Sequence, residues 1–352
     1  MKKTIVIKVD PNNPEISKMI IAAKIIRAGG LVAFPTETVY GLGADALNSK
    51  AVKALYKAKN RPLDNPPIIH IENFSQLELL CKKIPNKAKV LIDKFWPGPL
   101  TIIFNRSAYV PKASTAGLET IAIRMPKHKV ALTLIKLSKS PIAAPSANLS
   151  GRPSPTSAKH VFDDLQGKID IILDAGSTCI GLESTVINFT SCPPEVLRPG
   201  GVPIEELKKV IQDIKIHPFV LADKEIKFKK TLSPGMIHKH YAPKAKVILV
   251  EGAVSSVIKK IRELTYYYRS KSLKVGILGT QETISYYNAD VLETLGSRFN
   301  MEVIAKNLFG LLREFDNKNV DIIIAEGVPD EGLGLAVMNR LRKAAGYNIV
   351  KT

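Results

Sequence analysis

The most constraining feature of the sequence is an alternation of apolar runs and helical patterns from residue 246 onward. The apolar runs are KVILVEG, KVGILGT and VDIIIAEG. A helical pattern follows the first run to about Arg262, a second covers roughly 300–316, and LAVMNRLRKAA forms a third. Strands that alternate with helices pair in parallel, because each helix crosses over the sheet between them. We therefore predict a Rossmann-like, doubly wound parallel α/β domain over residues 246–352.

Residues 1–210 carry a different pattern. Helical spacing over 17–28 stops at Gly29 and Gly30, and Asn48 is placed to cap a helix that reaches Lys59. Short apolar runs bounded by Pro, Gly, Asn and Ser then predict strands. These runs are LVAFPT, PPIIHI, LTIIFN, ETIAIRM, SPIAAPS, DIILDAG and STVINF. A chain of 352 residues is long enough for two cores, so we predict a mixed, twisted α/β domain here, larger than the second.

Residues 211–245 fit neither pattern. This stretch is rich in lysine and ends in TLSPGMIHKHYAP, where Pro, Gly, His and Tyr are crowded together. We predict an interdomain linker. Its aromatic and histidine content is unusual for a spacer.

The charge balance points to phosphates. Lys and Arg number 51 against 32 Asp and Glu, a formal net charge of +19. Such a field attracts nucleotides and nucleic acid, although lysine-rich surfaces also occur in heat-adapted proteins. No apolar run is long enough to span a bilayer, and the three cysteines lack paired spacing. We expect a cytoplasmic protein with no membrane association and no structural metal.

Five segments of the first domain are richer in polar groups than a fold alone requires. They are FPTETVYGLG (34–43), KAKNRP (57–62), ETIAIRMP (119–126), APSANLSGRPSPT (144–156) and GLESTVINF with LRPGG (181–201). Hydroxyl-rich loops and glycines allow a ligand close to the backbone. Lys59 and Arg61 are two apart, so on extended backbone both would point towards one triphosphate. KAKNRP is equally typical of a solvated basic turn, and Arg124 of a paired structural cation.

Several catalytic signatures are missing from the sequence. It contains no GxxxxGK[ST] loop, no GxGxxG after a strand, no nucleophile elbow and no HExxH. Covalent catalysis and metal-dependent hydrolysis are thus disfavoured. The composition of the five segments instead predicts a cleft for ATP and a small polar substrate.

Taken in order, these segments resemble the threonylcarbamoyl-AMP synthase family, which has a YrdC-like catalytic domain. The resemblance rests on PTETVYGLG, KAKNRP, PSANLSGRPSPT, and GLESTVIN with LRPGG, and it spans most of residues 20–205. SPGMIHKHYAP and GLGLAVMNRLRKAA resemble the two-domain branch, in which a Rossmann-like domain follows the catalytic one.

The resemblance implies a nucleotidyltransferase that makes L-threonylcarbamoyl-adenylate and pyrophosphate from L-threonine, bicarbonate and ATP, with Mg²⁺ accompanying the ATP. The product would pass to a tRNA threonylcarbamoyltransferase complex for modification of the adenosine beside the anticodon, with transient tRNA contact. The resemblance places Lys59 and Arg61 in catalysis. It implies that ATP is bound by Lys59, Arg61, Leu63, Thr120, Ser146, Asn148, Ser154, Arg198 and Tyr241. It implies that threonine is bound by Thr36, His70, Arg124, Ala144 and Ser184. A short-lived carbamate requires a closed cleft, so under this resemblance the linker, with His240 and Tyr241, is expected to act as a lid over the active site.

Two other functions compete with this one. A non-catalytic RNA-binding protein would use the same basic cleft, but the sequence shows no aromatic stacking platform among its basic residues and only one Trp. A carbamoyl-transfer maturation domain would bring Cys-rich zinc motifs, which are absent. The glycines of EGLGLAVMNR could indicate a second nucleotide site, but without a full phosphate fingerprint we favour a structural or regulatory second domain.

Overall fold

The computed structural model describes residues 3–224 and 240–352. The chain divides into two compact units. Of the described residues, the first unit takes 3–150 and 154–220, and the second takes 151–153, 221–224 and 240–352. Most of SPGMIHKHYAP, including His238, lies outside the described residues.

A mixed sheet of eleven described strands runs through the first unit. The strands are β1 (Ile5–Lys8), β2 (Val32–Phe34), β3 (Gly41–Asp45), β4 (Ile68–His70), β5 (Leu100–Asn105), β6 (Thr120–Arg124), β7 (Ile142–Ala143), β8 (Ile171–Asp174), β9 (Thr185–Asn188), β10 (Glu195–Arg198) and β11 (Lys215–Ile216). Their order in the sheet is β1-β8-β2-β3-β7-β4-β6-β5-β9-β10-β11. The sheet contains both parallel pairs, such as β4–β6, and antiparallel pairs, such as β5–β6, which confirms the mixed α/β class.

Eight described helices accompany these strands along the chain. They are α1 (Ile16–Arg27), α2 (Ser49–Lys59), α3 (Phe74–Leu80), α4 (Asn86–Phe95), α5 (Lys129–Ser138), α6 (Ala158–Leu165), α7 (Ile204–Val210) and α8 (Pro218–Leu221). Buried side chains of α1 and α5 pack with Val32 and Phe34 in one core. Helix α1 ends before Gly29, whose φ of 81° is left-handed, as its sequence predicted.

The second unit has an all-parallel sheet of five strands. They are β12 (Lys246–Glu251), β13 (Val275–Gly279), β14 (Val291–Thr294), β15 (Ile322–Glu326) and β16 (Ile349–Lys351), in the order β14-β13-β15-β12-β16. The helices are α9 (Val254–Arg269), α10 (Met301–Asn317) and α11 (Leu333–Ala344). The predicted parallel Rossmann-like class is confirmed.

One helix boundary in the second unit was predicted too early. Helix α9 continues to Arg269 instead of ending near Arg262. Val257, Ile261 and Thr265 are all buried at a spacing of four, so the apolar stripe extends one turn further than the sequence pattern suggested. No helix in the described part of the chain combines the length and apolar character needed to cross a bilayer.

Candidate functional site

Backbone hydrogen bonds hold the first and third polar segments side by side. Strand β3 begins at Gly41, which forms an isolated antiparallel bridge with Ser146. On either side, the amide of Ala147 donates to Tyr40 O at 2.8 Å, and the amide of Tyr40 donates to Pro155 O at 2.9 Å. Backbone hydrogen bonds therefore hold the hydroxyl-rich loop after β7 next to the turn that follows β2.

Lys59 connects the second segment to the same loop. It is the last residue of α2, whose N-terminus is capped as predicted: Asn48 Oδ1 accepts from Lys50 N at 3.0 Å. The Lys59 side chain is 1% exposed, and its ammonium donates to the carbonyl oxygens of Ser146 and Asn148. A lysine in a solvated basic turn would be exposed to water. The buried ammonium of Lys59, bonded to two loop carbonyls, therefore does not fit that interpretation.

Arg61 does not share the orientation expected from its spacing with Lys59. The backbone between them is not extended, because Asn60 is left-handed with φ of 50°. The Arg61 guanidinium donates to Asn65 O at 2.9 Å, to Asn65 Oδ1 at 2.8 Å and to Pro66 O at 3.0 Å. It is thereby pre-oriented by the following loop, in which Leu63 is 73% exposed.

Arg124 connects the fourth segment to the first. At the end of β6, its guanidinium donates from Nε to Gly98 O at 3.1 Å and from Nη1 to Thr38 Oγ1 at 2.9 Å. Nη2 lies 2.6 Å from Glu37 Oε2, so the two buried side chains form an ion pair. The Arg124 cation is therefore held in a fixed position beside the turn after β2.

Thr36 lies in the turn that Arg124 contacts. Its hydroxyl is 2.8 Å from the Thr38 hydroxyl and donates to Val39 O at 2.7 Å. Backbone amides of Ile180 and Gly181 in turn donate to Glu37 O and Thr38 O, at 2.9 and 3.1 Å. The turn after β2 therefore also contacts the start of the fifth segment.

His70 pairs with Arg124 across the parallel strands β4 and β6, so both side chains lie on one face of the sheet. Burial, followed by the positive charge of Arg124, lowers the pKa of His70 to about 3. Its ring also packs edge-on against Phe34, with 6.2 Å between centroids. At physiological pH His70 is therefore neutral, and its ring contributes packing rather than a positive charge.

Ser184 and Arg198 form the centre of the fifth segment. The Ser184 hydroxyl lies 2.7 Å from the Thr101 hydroxyl, and Arg198 Nη2 donates to Ser184 O at 2.9 Å and to Ser184 Oγ at 3.2 Å. One residue earlier, the Glu183 carboxylate accepts from Ser154 Oγ at 2.6 Å. That bond joins the fifth segment to the third.

Close approach at Gly200 holds this arrangement together. A Cβ on Gly200 would lie 2.3 Å from the carbonyl carbon of Ser184 and 2.4 Å from Glu183 O. Only glycine fits there, which is the reason for the glycine pair after Arg198. A Cβ on Gly41 would similarly approach Ala144 Cβ, but at a milder 3.3 Å.

The contacts above join all five segments, and we call their residues the five-segment cluster: 34–43, 57–62, 119–126, 144–150 with 154–156, and 181–201. Two of the predicted residues, Leu63 and Thr120, make none of the described side-chain contacts with the other segments. Leu63 follows segment 57–62 and is 73% exposed, and Thr120 begins β6 opposite Asn105. Tyr241 belongs to the second unit, where its ring stacks on Phe309 with 5.2 Å between centroids.

Sequence reasoning missed the residues that orient the predicted ones. Glu37, Thr38 and Glu183 lie inside the quoted motifs, but nothing local indicated that they would hold Arg124 or Ser154. Asn65 lay in the LDNPP loop with no distinguishing signal. No group of three or more His, Cys, Asp or Glu placed to hold a metal occurs in residues 3–224 and 240–352.

Comparisons with known proteins cover both units. A family model described as "Telomere recombination", of the Sua5/YciO/YrdC type, matches residues 24–200. A second model, described as the C-terminal domain of threonylcarbamoyl-AMP synthase, matches residues 202–346. The two matches together account for most of the chain.

Individual proteins match over nearly their full length. A threonylcarbamoyl-AMP synthase of Pyrococcus abyssi is 56% identical, over 95% of this chain and 96% of that protein. Its counterpart in Bacillus subtilis is 48% identical, over 97% of this chain and 95% of that protein. Among solved structures, P. abyssi Sua5 complexed with L-threonine matches with a TM-score of 0.94 at 54% identity, covering 99% of each chain.

Proposed function

The chain belongs to the threonylcarbamoyl-AMP synthase family, whose members are nucleotidyltransferase-type enzymes, and we propose that its substrates meet in the five-segment cluster. The reaction joins L-threonine, bicarbonate and ATP into L-threonylcarbamoyl-adenylate and pyrophosphate. The observation that carries the proposed location is the convergence of all five polar segments through direct hydrogen bonds.

Threonine is proposed to bind at the Arg124 side of the cluster. The Arg124 guanidinium is a buried cation held in place by Glu37, Thr38 and Gly98, and its positive charge suits the amino acid carboxylate. The hydroxyls of Thr36 and Ser184 are suited to the ammonium and hydroxyl groups. His70 and Ala144 would form the walls, and because the low pKa keeps His70 neutral, it adds no charge that would compete with Arg124.

ATP is proposed to bind along Lys59, Arg61, Ser146, Asn148, Ser154 and Arg198, with Leu63, Thr120 and Tyr241 as further contacts. Lys59 and Arg61 carry the catalytic charge in this proposal. An ATP-using enzyme of this family works with a divalent metal on the phosphates, and we propose Mg²⁺. Its ligands would be chiefly phosphate oxygens and water.

The proposed chemistry needs positioning more than a strong base. Bicarbonate and the threonine amine form a carbamate with loss of water. A carbamate oxygen then attacks the α-phosphorus, the bond to the β-phosphate oxygen breaks, and pyrophosphate leaves. Fixed cations and backbone donors stabilise the charge that builds on the phosphates, and shielding from water preserves the short-lived carbamate.

The domain organisation, the cellular location and the partners are proposed from the same family membership. Residues 1–210 form the catalytic domain, 211–245 a linker that acts as a lid through Tyr241, and 246–352 a second domain. The protein acts in the cytoplasm and passes its product to a tRNA threonylcarbamoyltransferase complex, with transient tRNA contact.

The test is pyrophosphate release by the full chain with ATP, Mg²⁺, bicarbonate and threonine, each substrate being omitted in turn. Release should require threonine and bicarbonate together. It should fall at least ~10-fold in Lys59→Ala and Arg61→Ala, since each removes a charge-assisted contact. Lys57→Ala removes an exposed lysine of the same helix and should retain activity. Release that is indifferent to threonine would leave RNA binding as the better account of the basic cluster.

A further inference from the structure

A cavity lined by aromatic and basic side chains lies wholly within the second unit. Its volume is about 520 Å³, within the range of small-molecule and nucleotide sites. It is lined by the C-terminal half of α9, by Ile277 of β13 and by residues 286–288. None of these residues belongs to the five-segment cluster.

One face of α9 supplies the wall of this cavity. Arg262, Thr265, Tyr266 and Arg269 follow at intervals of three and four, so they share one side of the helix. Thr265 is buried, and its hydroxyl is satisfied within the helix by Ile261 O at 2.7 Å. Arg262 and Tyr266 of this face therefore remain for a ligand, together with the exposed part of Arg269, which also pairs with Asp290.

Aromatic rings dominate the rest of the lining. Tyr266 is 80% exposed and Tyr286 is 59% exposed, whereas Tyr287 is buried in the cavity floor. The Tyr287 hydroxyl interacts with the side chains of Thr283 and Glu326, so it is not left for a ligand. The exposed tyrosine rings offer flat faces on which a base can stack.

The charge around the cavity is positive. Arg262 makes no ion pair among the described residues, and the neighbouring acid, Glu263, is taken by Lys260 at 3.0 Å. Arg269 reaches Asp290 at 3.4 Å but its side chain stays 45% exposed. These cations are thus available to anionic oxygens.

We propose that this cavity binds a nucleotide of single-stranded RNA, with the base on the exposed tyrosine rings and the phosphates on Arg262 and Arg269. Stacking and backbone cations are the two components of single-strand recognition. Asn288 and Ser270 add amide and hydroxyl groups of the kind that meet base edges. With one aliphatic residue, Ile277, in its lining, the cavity offers little to an apolar peptide or an acyl chain.

The residues of this cavity are far apart in the sequence. Tyr266 and Arg269 of YYYR line it together with YYN, about twenty residues further along the chain, so no single segment indicated that aromatic and basic residues would meet here. The site goes beyond the proposed synthase reaction and does not depend on it.

The test is fluorescence anisotropy of the full chain with a 5′-labelled, unstructured RNA octamer. Tyr266→Ala and Tyr286→Ala should each weaken binding roughly 5- to 100-fold, the loss expected for a stacked base. Arg262→Ala should weaken binding and lower the salt dependence by about one phosphate contact. The matched controls are Tyr267→Ala, an adjacent tyrosine outside the lining, and Lys260→Ala, a cation paired with Glu263; both should stay within about two-fold of the unaltered protein.

Three results would overturn the proposal: no RNA binding by the unaltered protein, equal losses in the targeted and control variants, or tight binding of free AMP at the cavity with no preference for RNA. Tyr266 is so exposed that its removal should leave the melting temperature unchanged, which circular dichroism checks. Pyrophosphate release measured on the same variants should be unaltered. That second readout separates failure of this site from failure of the synthase reaction.

Discussion

Replacing Arg124 with methionine isolates one buried charge in the five-segment cluster. In the native protein, the Arg124 guanidinium lies 2.6 Å from the Glu37 carboxylate, and both side chains are less than one-tenth exposed. Methionine fills much of the volume but leaves the carboxylate without its cation. Among the residues that the structure describes, the Lys127 amide, 3.0 Å from Glu37 Oε1, would be the one donor left to this carboxylate.

Removing one partner of a buried pair typically costs about 3–5 kcal/mol, most of it the penalty for the charge left behind. We therefore expect Arg124→Met to lose about that much unfolding free energy. The double variant Glu37→Gln/Arg124→Met removes the stranded charge and should recover most of the loss, because a glutamine oxygen can still accept from Lys127.

The only tryptophan, Trp96, gives a convenient signal, because it is buried in the same unit two residues from Gly98, whose carbonyl Arg124 contacts. Urea unfolding followed by its fluorescence reports that unit alone. Threonine binding is measured in parallel by calorimetry, and should fall at least ~10-fold in both variants. A double variant that binds threonine normally would refute the assigned role of Arg124, and a single variant that loses under about 1 kcal/mol would refute the buried pair.

Three further predictions concern neighbouring residues. The pKa of His70 is lowered to about 3, so between pH 6.5 and about 3 only the unfolded state takes up its proton. The free energy of unfolding therefore decreases as the pH decreases, by at most about 1.4 kcal/mol per pH unit. His70→Gln should reduce this pH dependence in urea titrations at pH 7 and 4.5, and an unchanged pH dependence would contradict the prediction. Ser154→Ala removes the 2.6 Å hydrogen bond to the buried carboxylate of Glu183, and should cost about 1–3 kcal/mol in unfolding free energy and weaken ATP binding in calorimetry; unaltered values of both would count against it. Gly200→Ala places a Cβ 2.3 Å from backbone and should lose threonine binding, whereas Gly41→Ala, with 3.3 Å to the nearest side-chain atom, should lose far less; equal effects would show that the close approach is unimportant.

Much of the fold was predictable because its signals are local. The alternation after residue 246 reflects side chains of strands buried on both faces, and it correctly predicted the parallel sheet. Asn48 and Gly29 marked helix ends because capping depends on a few adjacent residues. The short strand β16 escaped prediction, since three residues carry too little pattern.

The polar segments were recognisable from their composition, but their mutual geometry was not. Lys59 and Arg61 were expected to point together, yet a single left-handed residue, Asn60, sends them to different loops. The spacing of two residues indicates whether their side chains point the same way only where the backbone conformation between them is known.

The sequence by itself determined the class of both domains, the family and the residue types that a nucleotide and an amino acid require. Tertiary structure alone decided that Lys59 meets carbonyls 87 and 89 residues away and that Arg124 meets Thr38 across 86 residues. It also decided that Tyr266 of α9 shares a cavity with Tyr286 and Tyr287, which follow β13. The physical reason is that strand order and register bring such groups together. Those depend on the burial of whole sheet faces, which no short segment encodes.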